Sequence, residues 1–208
     1  FENALKLLGI ENVDIKYQSE KYLSGEYTEQ IIHALNNRKK IYDILMSFKT
    51  QEANDDDREN FYPISVYCDK CFKDNVKVTN YNEDTKEITF KCLECDEEKT
   101  VSLLDYKLVK LSWKVDWPMR WGVEGVDFEA GGIDHATPGG SYDVSTVIAK
   151  EIFGYEAPVF QGYGWLGFQG VSSMHSSSGI NITPAAALNF YTPELIRWLF
   201  AKYEPEDA

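Results

Sequence analysis

Two pairs of cysteines constrain this chain more than any other feature: Cys68-Asp69-Lys70-Cys71 and Cys92-Leu93-Glu94-Cys95, with 20 residues between them. Each pair lets two thiolates converge on one point, and a β-hairpin across the intervening residues brings the pairs together. Four thiolates at one tetrahedral point suit a structural Zn²⁺ and leave no open position for catalysis. The spacing therefore predicts Zn²⁺ held by Cys68, Cys71, Cys92 and Cys95 as scaffolding. A thioredoxin-type redox role does not fit, because neither pair opens a helix after a strand. Four cysteines in 208 residues are also too few for a disulfide scaffold, and they match a reducing, cytoplasmic setting.

Around the cysteines the pattern is strand-like. Ile64, Val66 and Cys68 sit two apart, as do Ile88, Phe90 and Cys92. Tyr81-Asn82-Glu83-Asp84 reads as the turn between hairpin arms. Residues 1–60 read as a mostly helical connecting region. Thr28 is the expected cap of a helix running to about Lys49, with Ile31, Leu35, Ile41, Leu45 and Phe48 on one face. Asn54-Asp55-Asp56-Asp57 reads as a polar loop, its aspartates solvating a turn.

Residues 109–208 alternate between strand and helix. Ser141 is expected to cap a helix with Val144, Val147, Ile148 and Ile152 inward, ended by Gly154. Val159-Phe160 begins a strand. Thr192-Pro193-Glu194 starts a last helix with Leu195, Leu199 and Tyr203 on its buried face. This α/β alternation suits one half of a parallel sheet. The expected domains are thus 1–60, a zinc-binding β insertion over 61–108, and an α/β domain over 109–208.

The net charge of −13 argues against DNA and against any reader that works by neutralising duplex phosphates. Residues 1–60, 61–108 and 109–208 carry 8, 7 and 6 basic groups against 12, 10 and 12 acidic ones, so no stretch is basic. No apolar run approaches the length of a membrane helix. A first residue that is Phe rather than Met leads us to expect a piece of a longer or processed protein.

Trp113, Trp117 and Trp121 recur every four residues, followed by Gly122, Glu124, Gly125, Asp127, Glu129, Gly131-Gly132-Ile133-Asp134-His135 and Pro138-Gly139-Gly140-Ser141. One reading is a buried aromatic stripe. The other is a pocket in which glycines permit close approach, carboxylates suit a cationic substrate and tryptophan faces attract an ammonium group. Gly162-Tyr163-Gly164-Trp165-Leu166-Gly167 matches GxGxxG, yet no good helix begins there and position 187 is Ala rather than an acid, so no dinucleotide site is expected. Asp134, His135 and Ser141 lie too close in sequence to converge as a hydrolytic triad, and no GxSxG elbow is present.

Ser172 to Gly179 form a polar loop whose hydroxyls and amides can hold phosphate oxygens. Here a family resemblance becomes specific. Trp117-Pro118-Met119-Arg120-Trp121-Gly122-Val123-Glu124-Gly125-Val126-Asp127-Phe128-Glu129 and Gly132-Ile133-Asp134-His135-Ala136-Thr137-Pro138-Gly139-Gly140-Ser141-Tyr142-Asp143 resemble the second half of the catalytic domain of class I lysyl-tRNA synthetases. Met174 to Ser178 fall where that family has its KMSKS-type loop. Tyr191 to Glu194 and Arg197 to Phe200 resemble the helix that follows.

The resemblance implies an α/β fold: the second half of a Rossmann-like catalytic domain with an inserted zinc-ribbon-like β subdomain. It implies ATP-dependent activation of lysine to lysyl-adenylate, with Mg²⁺, and transfer to tRNA(Lys). Gly132, Asp134 and Met174 would meet ATP. Trp113, Trp117, Trp121, Glu124, His135 and Tyr163 would line the amino-acid pocket. His175, Ser176, Ser177 and Ser178 would approach the phosphates. The chain departs from the pattern at Met174 and Gly179, where the family has lysines. It has neither a HIGH-type histidine pair nor anticodon-binding helices, so this chain alone is not expected to catalyse aminoacylation. A non-catalytic, zinc-stabilised paralogue or binding module is the alternative.

Overall fold

A computed structural model describes residues 1–50, 53–165 and 182–205. The chain forms two units: Tyr17–Glu129 with His135–Val159, and Phe1–Lys16 with Ala130–Asp134 and Phe160–Ala208. Helix α1 (Glu2–Leu7) lies in the second unit and α2 (Gln18–Ser24) in the first.

The long helix expected from Thr28 is two helices, α3 (Thr28–Asn36) and α4 (Arg38–Ser47). Asn37 breaks it by bonding its side-chain amide back to the His33 carbonyl at 2.9 Å, the local competition that makes Asn a poor interior helix residue. Thr28 is not the cap: that position is Tyr27, and the Thr28 hydroxyl instead accepts a bond from the Lys107 amine at 3.0 Å. The expected loop at Asn54 is a capped turn of helix, α5 (Asp55–Glu59). The Asn54 side chain accepts from the Asp56 amide at 2.8 Å, and the three aspartates sit at the positive helix end.

The cysteine-bearing region is closed at its base by β1 (Ile64–Val66), antiparallel to β5 (Val109–Leu111), with Ile64 opposite Leu111. Between them β2 (Val76–Asn82), β3 (Glu87–Cys92) and β4 (Glu98–Ser102) form an antiparallel meander. Ile88, Phe90 and Cys92 are fully buried, the period-two face read from the sequence. The turn falls after Asn82 rather than at Tyr81, because the Asn82 side chain accepts from the Asp84 and Thr85 amides at 3.0 and 3.2 Å. Asn82 thereby fixes the reversal itself.

Helix α6 (Trp113–Glu124) carries Pro118 in its interior. Proline cannot donate to the carbonyl four residues back, here that of Lys114. Ser145, fully buried on α7 (Ser141–Ile148), donates its hydroxyl to that carbonyl at 3.4 Å. Gly125 ends α6 in the left-handed region at φ 64°. The cap of α7 is Gly140 rather than Ser141, and Asp143 holds the turn by accepting from the Gly139 amide at 2.9 Å. A π-helical turn, Ala149–Phe153, extends α7 to Gly154. Ile31, Leu35, Ile41, Phe90, Met119 and Ile148 all belong to the core of this unit.

Strands β6 (Phe128–Gly132) and β7 (Val159–Tyr163) pair with each other, and α7 lies between them in the sequence. The other two sheets among the described residues, β1–β5 and β2–β3–β4, are antiparallel. The architecture is mixed α/β.

In the second unit α8 (Pro184–Leu188) and α9 (Pro193–Lys202) start on Thr183 and Thr192, whose hydroxyls accept from Ala186 and Leu195 amides. The face of α9 differs from the reading above. Ile196 is buried, while Leu195, Leu199 and Tyr203 are 45%, 43% and 52% exposed. One residue turns a helix by about 100°, so the apolar stripe and the packed side do not coincide. Arg197 joins α9 to the end of α1 by donating to the Leu8 carbonyl at 2.7 Å. Among the described residues no helix is long and apolar enough to cross a membrane.

Candidate functional site

The four cysteine sulfurs lie within 4.8 Å of one another. Cys68 and Cys95 approach to 3.7 Å, and Cys71 and Cys92 to 3.5 Å. The two knuckles are built alike. Phe72 and Asp96, each directly after the second cysteine of its pair, take left-handed φ of 58° and 56°. That reversal aims backbone amides at sulfur: Lys73 at Cys71, Cys95 and Glu94 at Cys92, and Glu97 at Cys95. Burial opposes ionisation of Cys92, but those amides together with the Cys71 and Cys95 thiols outweigh it and bring its pKa down to about 7. Burial and the neighbouring sulfurs hold Cys71 and Cys95 up despite their amides. Ion pairs then tie the knuckles together, Lys70 to Glu97 at 2.9 Å and Lys99 to Asp69 at 2.5 Å. Convergent sulfurs with amides pointing at them are a donor set for a thiophilic ion. Among the described residues no other group of three or more His, Cys, Asp or Glu comes together in this way.

The tryptophans divide between the two readings. Trp117 and Trp121 are 5% and 1% exposed, whereas Trp113 is 46% exposed. Spacing by four places them in a row down α6, with ring centres 5.1 Å apart for Trp113 and Trp117 and 5.0 Å for Trp117 and Trp121. The two buried indole N–H groups donate to one acceptor, Glu129 Oε2, at 3.0 and 2.9 Å. His135 lies against this row, 5.5 Å from Trp117 and 6.1 Å from Trp113. Tyr142 closes the far side, 5.7 Å from Trp121 and 6.3 Å from Trp117, with its hydroxyl donated to the Pro158 carbonyl at 2.6 Å.

Sequence reasoning counted Glu129 among the carboxylates of the cluster without foreseeing its partners, and it gave Tyr142 no role. The available signal for Glu129 was the tryptophans' own need: a buried indole N–H seeks an acceptor, and Glu129 is one of three carboxylates that follow within eight residues.

Glu124, expected among the substrate residues, faces elsewhere. Its Oε1 accepts from the Tyr27 hydroxyl at 2.5 Å and from the Gln18 amide at 2.9 Å. Burial works against its charge, yet those two donors outweigh it and lower its pKa. On the same side of α6, Asp116 pairs with Arg120 at 3.0 Å and accepts from the Tyr22 hydroxyl. Burial raises the Asp116 pKa, with Arg120 and Tyr22 acting against that rise. The Arg120 guanidinium in turn lies 5.5 Å from the centre of the Trp113 ring.

Gly132, Asp134 and Tyr163 belong to the second unit. Gly132 ends β6 so close to Asp134 that an added Cβ would meet Oδ1 at 2.5 Å. Asp134 lies exposed in a 3₁₀ turn, Ile133–Ala136, and Tyr163 is half exposed at the end of β7. Met174, His175, Ser176, Ser177 and Ser178 lie outside the described residues.

Comparison with known proteins accounts for the whole chain. Residues 1–208 match the family described as tRNA synthetases class I (K). The lysine–tRNA ligase of Streptomyces coelicolor is 37% identical over 233 aligned positions, covering 99% of this chain and 40% of that protein. The lysine–tRNA ligases of Methanococcus maripaludis and Borreliella burgdorferi are 40% and 39% identical, each again covering 99% of this chain and 38% of theirs. The chain thus spans about two fifths of the length of these curated relatives. On the strength of a match along its full length, the chain belongs to the lysine branch of the class I tRNA synthetases.

Proposed function

We propose that this chain forms the zinc-bearing and second catalytic part of an enzyme that activates lysine with ATP and passes it to tRNA(Lys). The observation that carries the reading is the single exposed ring of Trp113, backed by a buried aromatic row and flanked by His135. That ring already receives the Arg120 guanidinium 5.5 Å from its centre, so it attracts cations, as recognition of an ammonium group requires.

In the reaction a lysine carboxylate oxygen attacks the α-phosphorus of ATP and pyrophosphate leaves. A ribose hydroxyl at the tRNA end then attacks the acyl carbon and AMP leaves. The residues' work is positioning and charge stabilisation. Trp113 and His135 hold the amino acid, with Trp117 and Trp121 behind them. Glu129, rather than Glu124, keeps the buried indoles in register, since Glu124 is occupied by Tyr27 and Gln18. Gly132 and Asp134 meet the adenosine ribose. Ser176, Ser177 and Ser178 meet the phosphates, with Met174 at the place of the family's lysine and His175 beside it supplying part of the missing charge. Mg²⁺ would neutralise phosphate oxygens. Zn²⁺ on Cys68, Cys71, Cys92 and Cys95 would lock the insertion over residues 61–108 and take no part in the chemistry. The reading places the protein in the cytoplasm, where its tRNA is used.

Lysine-dependent exchange of pyrophosphate into ATP, measured on the complete protein, tests this. Trp113→Ala, at a half-exposed position, should raise the KM for lysine about tenfold and leave that for ATP near its starting value. A folded complete protein without lysine-dependent exchange would defeat the enzyme reading in favour of the non-catalytic paralogue.

A further inference from the structure

A pocket of about 530 Å³ opens between α2, β5 and α6. Its wall carries Lys107, Lys110 and Arg120 against one carboxylate, Asp116, in a chain whose net charge is −13. That carboxylate is already taken by Arg120 and the Tyr22 hydroxyl. Lys107 donates only to neutral acceptors, the Thr28 hydroxyl at 3.0 Å and the Leu104 carbonyl at 2.6 Å. The Lys110 amine lies 5.4 Å from the centre of the Tyr67 ring. Neither lysine forms an ion pair among the described residues. Arg120 adds a buried Nε–H with no acceptor among the described residues. The pocket therefore carries three cations against the single carboxylate on its wall. Tyr67 bonds to Lys110, and Asp116 and Asp74, the latter off that wall, act on its charge. The orphaned donor lies beside aromatic and aliphatic side chains from Tyr22, Tyr67 and Val109.

Cations beside ring faces are how single-stranded nucleic acid is held without sequence readout: amines take the phosphates and the rings take a base. We infer that this pocket holds a single-stranded stretch of tRNA, with Lys107 and Lys110 on phosphate oxygens and a base or ribose against the apolar wall. The inference rests on the proposed function for the identity of the RNA. It also locates phosphate contacts in a chain that has no basic segment: Lys107 and Lys110, three apart in sequence, are joined at one wall by Arg120 from α6.

The test uses the complete protein carrying Lys107→Gln with Lys110→Gln, beside Lys107→Arg with Lys110→Arg. Because Lys107 also supports Thr28 and Leu104, Lys110→Gln alone is carried as a second variant. The double glutamine variant should raise the KM for tRNA(Lys) about tenfold and flatten the slope of log affinity against log salt by about 1 to 2. Lysine-dependent pyrophosphate exchange, measured with tRNA(Lys) at saturating concentration, should stay within about twofold. Lys110→Gln alone should show part of the same loss, and the arginine pair should behave as wild type. Unchanged tRNA affinity and salt slope in the glutamine variants would overturn the inference. So would equal losses in the arginine pair, or a parallel fall in exchange. A raised KM for ATP with normal tRNA binding would assign the pocket to a free nucleotide and overturn it too. If wild-type protein shows no exchange, the functional reading fails, while the salt titration with tRNA still decides the pocket.

Discussion

Trp121 places its indole nitrogen 2.9 Å from Oε2 of Glu129, the oxygen that also receives the Trp117 indole. One carboxylate oxygen thus satisfies two donors from a helix whose aromatic row would otherwise bury them unpaired. Glu129→Ala leaves both donors without this acceptor, and an unsatisfied buried polar group costs about 1–3 kcal/mol. Glu129→Gln keeps an oxygen acceptor and should cost less. Urea unfolding followed by tryptophan fluorescence measures both. Equal stability of the alanine variant and wild type would show that the indoles find other partners.

The cysteine cluster makes a prediction about metal. The complete protein should bind Zn²⁺ at one ion per chain, and Cys92→Ser should abolish stoichiometric binding, because the hydroxyl is a poor substitute for a thiolate in a four-sulfur site. Amide hydrogen exchange over β2, β3 and β4 should quicken when the ion is chelated, and exchange in α3 and α4 much less. Metal analysis finding no zinc, with protection of β3 unaffected by chelator, would remove the site.

What was legible in the sequence, and what was not, follows from the range of each interaction. The CxxC spacing, the period-two face of Ile88 and Phe90, and the Thr192 cap are local patterns whose partners lie within a few residues. The break at Asn37, the capped turn at Asn54 and the late turn at Asn82 are local too, but each depends on which backbone group an Asn side chain selects, and composition is silent on that choice. The misplaced face of α9 and the fate of Glu124 are non-local. Tyr27 and Gln18 reach Glu124 across about a hundred residues of sequence, so no spacing rule connects them. The same holds for Ser145, which satisfies the carbonyl that Pro118 strands.

The Tyr27–Glu124 contact should be visible as a pH dependence. Although burial opposes it, the folded state holds the Glu124 pKa below its ordinary 4.5 through Tyr27 and Gln18. A carboxylate with a depressed pKa contributes stability that is present above its unfolded value and is lost as pH falls through its folded one. Tyr27→Phe removes the principal donor. The variant's deficit in unfolding midpoint should therefore be largest at about pH 6 and shrink by about pH 3. A deficit that is constant across that range would assign the loss to packing instead.

Two glycines near Asp134 and His135 separate backbone strain from side-chain displacement. A Cβ at Gly140 would sit 2.6 Å from the Thr137 carbonyl oxygen and 2.7 Å from that of His135. Both are main-chain atoms of the turn that leads into α7, so Gly140→Ala must move the turn itself and His135 with it. A Cβ at Gly132 meets only the Asp134 carboxylate, at 2.5 Å, and that side chain can rotate away. Gly140→Ala should therefore lower lysine-dependent exchange by about a hundredfold, the cost of a misplacement near 1 Å. Gly132→Ala should leave stability nearly unchanged while weakening ATP use through Asp134. Steady-state kinetics with each substrate varied, alongside thermal unfolding, distinguishes the two. Comparable loss of fold in both variants would show that the Asp134 side chain is fixed as firmly as the backbone it faces.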